Sequence, residues 1–572
     1  MNLISIHYGH NCTVTLSLNG EIKFAQSEER STGIKNATGF PFKTLDYIIK
    51  KFELNEKNTE LLIIDETGKG ARFLLEHGLE PKPYRSFFLK KNLLKKIKNK
   101  VFRFFLGFSN EKKKLEKLSK INGYKINYYD HHLCHAATAC LFKEVDKNKS
   151  WIIFTMDAEG DDVSSGVYLY DKEGIKIASF NGRNKSLGYI YSFTTEILGM
   201  KSNEHEFKVM GMAPYGDHNN KKRISEKIQK KIVVFDNLTG EFVSFLNFKS
   251  FKKTLIEIYK DEKFEDICAG VQFYIEEMIT KWVNFWILKK NIGNVAVSGG
   301  VFMNVKATKK ISELGIVDKL FVTPSCGDES LGFGAIFLKQ KEINIKQNFI
   351  NNLYLGESFS NEKVFSDYQK SRFKDLLYFE KLDFEELNKV LAKYLTEKKI
   401  IGRFSGKSEW GARALGNRSI LCDPRNKENI DILNKKIKSR DYWMPFAPSI
   451  INEDVELYFI NNKNINSDFM QTSFDATEFA KKNIPAAIHP KDFTLRPQVV
   501  SRELNENFHN LINNFKELTD VGCLLNTSFN LHGNPNVGTP EHAFFTFINS
   551  GLDILNIENY IFYKKKINMT NL

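Results

Sequence analysis

One pattern occurs twice in the first third of the chain, and it limits the possible folds more than any other feature. Residues 2–29, NLISIHYGHNCTVTLSLNGEIKFAQSEE, read as strand, polar turn, strand, Asn19-Gly20 hairpin and strand. Residues 150–180, SWIIFTMDAEGDDVSSGVYLYDKEGIKIASF, repeat the order with an acidic first turn and a Lys172-Glu173-Gly174 hairpin. Asn-Gly between alternating apolar runs is a strong hairpin signal, because both central residues of the tight turn need positive φ. Each copy is followed by mixed helix and strand, which predicts a duplicated α/β domain. Polar residues gather after each first strand: His7, His10 and Asn11 in one copy, Asp157, Glu159 and Asp161 in the other. Paired turns facing one cleft are the layout of the actin-like ATPase fold.

At 572 residues the chain exceeds one ordinary core, so further domains are expected. No run of 18 apolar residues predicts a membrane span. The N-terminus lacks a basic n-region and a small-residue cleavage site, so no signal peptide is expected. Seven scattered cysteines without a CxxC pair suit a reducing cytoplasm rather than a disulfide framework or zinc ribbon. The net charge of +14 would suit a nucleic-acid partner, yet residues 85–121 hold thirteen Lys or Arg against two Glu. The remainder is close to neutral. That segment reads as a basic amphipathic helical insertion with a solvated lysine face, or as a surface for an anionic acceptor, a lipid headgroup or RNA.

Three of the twelve histidines fall in DHHLCHAATAC, residues 130–140, a stretch of helix-forming composition. His131 and His135 stand four apart and share a helix face; His132 and His135, three apart, could serve instead. Two helical imidazoles can grip a divalent metal only if a carboxylate arrives from elsewhere. Asp328, in CGDESLGFGAI, is the candidate, although an Asp at a helix start is often only a cap. In VSGGVFMN, Gly299 and Gly300 form a strand-to-helix turn that would let backbone amides approach a nucleotide, with Asn304 beyond. Arg413, Arg418, Arg425, Lys438 and Arg440 lie among small residues and acids, which suits a pocket for phosphate- and carboxylate-like groups. NTSFNLHGNP adds Asn526, Thr527, Ser528 and Asn530.

In chain order, DHHLCHAATAC, SGGVFMNVKATKKI, GDESLGFGAI, WGARALGNRSILCDPR, MPFAPSI and NTSFNLHGNPNVGTPEHA resemble the signature segments of the O-carbamoyltransferases of the NodU and CmcH type. The resemblance spans nearly the whole chain. It implies a duplicated actin-like (ASKHA, Kae1-like) domain over 1–345 carrying the 85–121 insertion. A linker over 346–380 and an α/β YrdC/Sua5-like domain over 381–572 would follow. The implied activity is ATP-dependent: carbamoyl phosphate and ATP give a carbamoyl-adenylate in the second domain. The first domain then carbamoylates a hydroxyl of a small molecule, glycan precursor or natural product. The implied metal is Fe(2+) on His131, His135 and Asp328, with His132 structural and Mg(2+) accompanying ATP. His10 is the implied base. Asp157, Gly299, Gly300 and Asn304 would hold the adenylate. Lys438 with Arg440 and Ser528 with Asn530 match KxR and SxN pairs for carbamoyl phosphate and ATP, supported by Arg413 and Arg418.

Some positions depart from the family pattern: His10-Asn11-Cys12 replaces His-Asp-Ser, Ala412 a proline and Met444 an arginine, while Glu329 and Ser330 are larger than usual. A tRNA-modifying threonylcarbamoyl-type enzyme and a non-catalytic nucleotide-binding protein are the other classes. The domain fusion argues against the first, the retained His10, metal histidines, KxR and SxN against the second. Nucleic acid is not the expected partner, and any membrane contact would be peripheral, through 85–121.

Overall fold

The computed structural model describes residues 1–64, 124–438, 441 and 443–565, without the side chains of Lys436 and Lys438. The basic stretch 85–121 lies outside the described residues. The first sheet contains β1 (Asn2–His7), β2 (Thr13–Leu18), β3 (Glu21–Ser27), β4 (Thr59–Ile64) and β5 (Lys125–Tyr129), ordered β3-β2-β1-β4-β5. β1 pairs antiparallel with β2 and parallel with β4, and β4 runs parallel to β5. The second sheet begins with β6 (Trp151–Gly160), β7 (Val163–Asp171) and β8 (Gly174–Gly182). A short hairpin of β9 (Val233–Asp236) and β10 (Glu241–Ser244) intervenes before β11 (Asn294–Ser298) and β12 (Lys319–Val322). Its order, β8-β7-β6-β11-β12, repeats the first sheet strand for strand and sense for sense. This is the duplicated actin-like fold.

The turns explain the repeat locally. Asn19 and Gly20 adopt φ of 51° and 89°, the positive pair that a two-residue hairpin matched to strand twist requires. The second copy closes with Asp171 opposite Gly174, whose φ is 115°. β1, β4 and β11 are almost wholly buried runs rather than alternating ones, as expected of parallel strands covered on both faces.

In each half a helix follows the fifth strand: α1 (His131–Ala139) after β5 and α2 (Leu331–Glu342) after β12. The two pack against each other between the sheets. Their crossing is so tight that a Cβ on Gly334 would stand 1.9 Å from the Cys134 carbonyl oxygen, so only glycine fits there.

The C-terminal half is an eight-stranded mixed sheet ordered β13-β23-β22-β14-β15-β21-β16-β20. Its strands are β13 (Leu377–Lys381), β14 (Ile401–Phe404), β15 (Arg418–Cys422), β16 (Ala447–Ile451), β20 (Gln498–Val500), β21 (Cys523–Ser528), β22 (Ile554–Ile557) and β23 (Tyr560–Lys564). A satellite sheet holds β17 (Phe459–Ile460), β18 (Phe474–Ala476) and β19 (Thr494–Leu495). Helices Phe384–Thr396 and Arg502–Thr519 pack together on the large sheet, giving a mixed α/β domain. The stretch read as a linker, 346–380, divides: Ile350 and Leu355 hydrogen-bond to Leu141 and Ala25 of the first domain, and the remainder is built into this one. It carries helix Asn361–Lys370, and β13 hydrogen-bonds antiparallel to β23 along its whole length. Tyr368 packs on Phe544 and Phe562, which explains why the segment orders: its aromatics complete the core at the sheet edge. Among the described residues, no helix is long and apolar enough to cross a membrane.

Candidate metal and transfer site

The pseudo-symmetry of the fold determines which side chains meet. The turn after β1 carries His10, and β6 carries Asp157 near its end, each on the first strand unit of its copy. α1 carries His131 and His135, and the 3₁₀ turn Asp328–Ser330 just before α2 carries Asp328, so the fifth strand of each sheet leads into an element that reaches the same cleft. Asp130 caps α1 by accepting the Leu133 N–H at 2.8 Å, and Asp161 accepts the His131 N–H at 3.0 Å from the second half. Both contacts lock the helix start where the exposed N–H groups favour carboxylates.

His131, His135, Asp157 and Asp328 are buried and offer ligand atoms that all lie within 4.8 Å of one another. Asp157 Oδ2 is 2.9 Å from His135 Nε2 and 3.6 Å from His131 Nε2. Asp328 Oδ1 is 3.5 Å from His131 Nε2 and 3.6 Å from His135 Nε2. Despite this proximity, no ring nitrogen of the two histidines, nor Asp157 Oδ2, makes a well-directed hydrogen bond. Buried polar atoms are normally paired, so three groups converging without aligned partners, with Asp328 beside them, fit a shared cation. The electrostatics agree. Burial pushes His131 down, yet Asp328 and Asp157 hold it up at about 10. Burial pushes the two aspartates up, and the facing imidazoles reverse this and hold both below the usual carboxylate range. A two-imidazole, two-carboxylate set suits a divalent first-row metal.

Asp157, read from the sequence as a nucleotide contact, joins the histidine cluster. The structure puts one of its oxygens in the cluster, while the other accepts the Gly300 N–H. Gly299 has φ of 100°, and a Cβ there would stand 2.5 Å from the Met156 carbonyl oxygen. The Gly-Gly turn is therefore required for this close approach. Asn304 caps helix Val305–Glu313 and exchanges two hydrogen bonds with Gln272, at 3.0 and 2.9 Å, so its amide is already engaged.

His10 stands at the rim with its side chain 47% exposed and Nε2 3.3 Å from Asp328 Oδ2, free to face a ligand on one side. Behind it, His7 is wholly buried. Burial lowers it to about 4, so it is neutral, and its Nε2–H donates to the His10 carbonyl at 3.0 Å. His132 is structural: its Nε2–H donates to Val163 O at 3.0 Å, and burial lowers it to about 3.

The C-terminal candidates are more dispersed. Arg418 is fully buried, with its ring-like face 3.5 Å over Phe404, and donates to the carbonyls of Ser405, Asn417, Glu357 and Gly406. It fastens a loop through both terminal nitrogens, each donating to two carbonyls; the sequence reading of a phosphate contact does not match this placement. Arg413 lies half-buried beside the Asp328 turn, where burial lowers its guanidinium and Glu329 opposes the effect. Ser528 donates to Asn530 Oδ1 at 2.6 Å, and Asn530 Nδ2 donates to the Leu531 and Asn534 carbonyls in the loop after β21. Lys438 ends a π-helical turn, Asn434–Lys438; its side chain and Arg440 lie outside the described residues.

A duplicated actin-like domain with a buried His/Asp cluster, joined to a mixed α/β domain, defines a two-domain protein with a candidate metal centre. Residues 3–337 match the carbamoyltransferase N-terminus and residues 392–564 the carbamoyltransferase C-terminus. The chain belongs to the carbamoyltransferase family. Two uncharacterized proteins of Methanocaldococcus jannaschii are 30% and 32% identical, across 94% and 99% of this chain and 95% and 100% of their own lengths. The nodulation protein NolNO of Sinorhizobium fredii is 27% identical across 97% of this chain and 79% of its own.

Proposed function

We propose that the protein is an ATP-dependent O-carbamoyltransferase working in two steps. In the C-terminal domain, water cleaves carbamoyl phosphate to carbamate and inorganic phosphate. A carbamate oxygen then attacks the α-phosphorus of ATP, accompanied by Mg(2+), and pyrophosphate leaves. Lys438, Arg440, Ser528 and Asn530 are assigned to these phosphates, with Arg418 acting only by holding the loop. In the N-terminal domain an acceptor hydroxyl attacks the carbamoyl carbon of the adenylate, its proton passes to His10 Nε2, and AMP departs. A glycan or natural-product hydroxyl is the acceptor class.

The observation that carries this reading is His10, half-exposed and 3.3 Å from Asp328, at the edge of a buried His/Asp cluster. An alcohol is a weak nucleophile at neutral pH and needs a base within hydrogen-bond reach. His131, His135, Asp157 and Asp328 would hold iron(II), which supplies Lewis-acid polarisation of a carbonyl or phosphoryl oxygen when bound. Gly299 and Gly300 present backbone toward the adenylate, and Asp157 holds that turn against the cluster.

The test is carbamoyl-phosphate-dependent pyrophosphate release from ATP without acceptor. Release that Lys438→Ala abolishes and His131→Ala spares supports two separate sites. No release from folded, metal-loaded wild type overturns the adenylate step.

A further inference from the structure

The turn that carries Asp328 is not held by its own domain alone. Ser325, three residues before it, has φ of 54°, a left-handed conformation uncommon for a residue with a side chain. Its Oγ–H donates to Glu329, which is buried and folded back over Gly327. The same Oγ accepts the Ala412 N–H of the C-terminal domain at 3.1 Å. The Cys326 carbonyl accepts the Gly299 N–H at 2.9 Å, so this turn also abuts the glycine turn beside Asp157.

The C-terminal loop that reaches across is rigid. Buried Glu409 accepts the N–H groups of Leu415, Asn417 and Arg418 through one oxygen, at 2.8, 2.7 and 3.0 Å. Trp410, 2% exposed, packs at 4.1 Å between ring centroids on Phe333 in the first turn of α2, directly after the Asp328–Ser330 turn. Gly411 has φ of 97°, and a Cβ there would fall 2.5 Å from Ser325 Oγ. The loop therefore meets Ser325 with no spare room.

We infer that Ser325 is a positioning residue through which the C-terminal loop 409–412 sets the Asp328 carboxylate, so that the N-terminal metal centre is completed by the other domain. Groups that orient metal ligands are needed nearly as much as the ligands, since a donor displaced by a fraction of an ångström loses its bond. The inference rests on the metal-centre reading proposed above and adds to it the dependence on the second domain.

The experiment is titration of the full-length, metal-free protein with Co(2+), followed by its visible absorption and by the thermal unfolding midpoint. Wild type and His135→Ala set the two limits. Ser325→Gly removes the hydroxyl while fitting the left-handed backbone. It should weaken Co(2+) about 10- to 100-fold. Gly411→Ala, a change in the C-terminal domain alone, should weaken it in the same direction and shift the cobalt bands. Ser325→Asn, which tolerates this backbone and restores a polar side chain, should recover part of the affinity. Unchanged Co(2+) affinity and bands in Gly411→Ala, with the unfolding midpoint intact, would overturn the inference even if Ser325→Gly binds weakly. Wild type that binds no Co(2+) would overturn the metal centre and this inference together, whatever the outcome of the pyrophosphate assay.

Discussion

The two copies of the actin-like unit place the same elements in the same order, yet they bring different atoms to the cleft. The first copy supplies imidazole: His7 at the end of its first strand and His10 in the turn beyond, His131 and His135 on the helix after its fifth. The second supplies carboxylate from the corresponding elements: Asp157 near the end of its first strand and Asp328 just before the helix after its fifth. Duplication alone would give both copies the same kinds of group on their matching elements. Divergence of one copy toward nitrogen and the other toward oxygen turns the cleft into a mixed N/O site. Neither half holds a complete donor set.

The comparison breaks most severely if one copy proves sufficient. His135→Ala and Asp157→Ala, one from each copy, should both lose at least about 100-fold in metal affinity, read by metal content after dialysis. If Asp157→Ala keeps its metal, the second copy contributes only Asp328. His10→Gln tests the division between binding and proton transfer. It should lower carbamoyl transfer by about 10²- to 10⁴-fold, read by single-turnover transfer, while leaving metal content unchanged.

Smaller effects probe the close approaches. A Cβ at Gly160 would stand 2.3 Å from the His131 ring, so Gly160→Ala must displace that ligand. We expect a stability loss of about 1–3 kcal/mol from overpacking, read by urea unfolding, together with weakened metal binding. The remaining change is confined to acid pH. His7 titrates at about 4 in the folded chain against 6.5 ordinarily, so the unfolded chain takes up the proton first on acidification. Its contribution is therefore intact above 6.5 and is lost as pH falls toward about 4, by roughly 3 kcal/mol at most. His7→Gln should flatten that part of the metal-free stability profile, read by urea midpoints across the window.

The repeat itself was legible because its hairpins are local: Asn19-Gly20 and Gly174 declare turns without knowledge of the rest of the chain. The histidine pair was legible for the same reason, since helical spacing puts His131 and His135 on one face. Asp328 was equally consistent with a cap until the packing of α1 on α2 brought it to the imidazoles. Asp157 was visible as an acid after a strand, but its role depends on an approach from a different sheet, which spacing does not encode. Arg418 misled because arginine among glycines suits phosphate and backbone carbonyls equally well, and burial over Phe404 decides for the carbonyls. Residues 346–380 lacked a long periodic run, and their order comes from pairing with β23, nearly two hundred residues away in sequence.

The measurement closest to the central claim is anomalous diffraction at the metal edge from crystals of the metal-loaded full-length protein. The account predicts one peak bonded to His131 and His135 from the first copy and to Asp157 and Asp328 from the second. A peak bonded to side chains of one copy only, or none at this cluster in protein that carries metal, would contradict it.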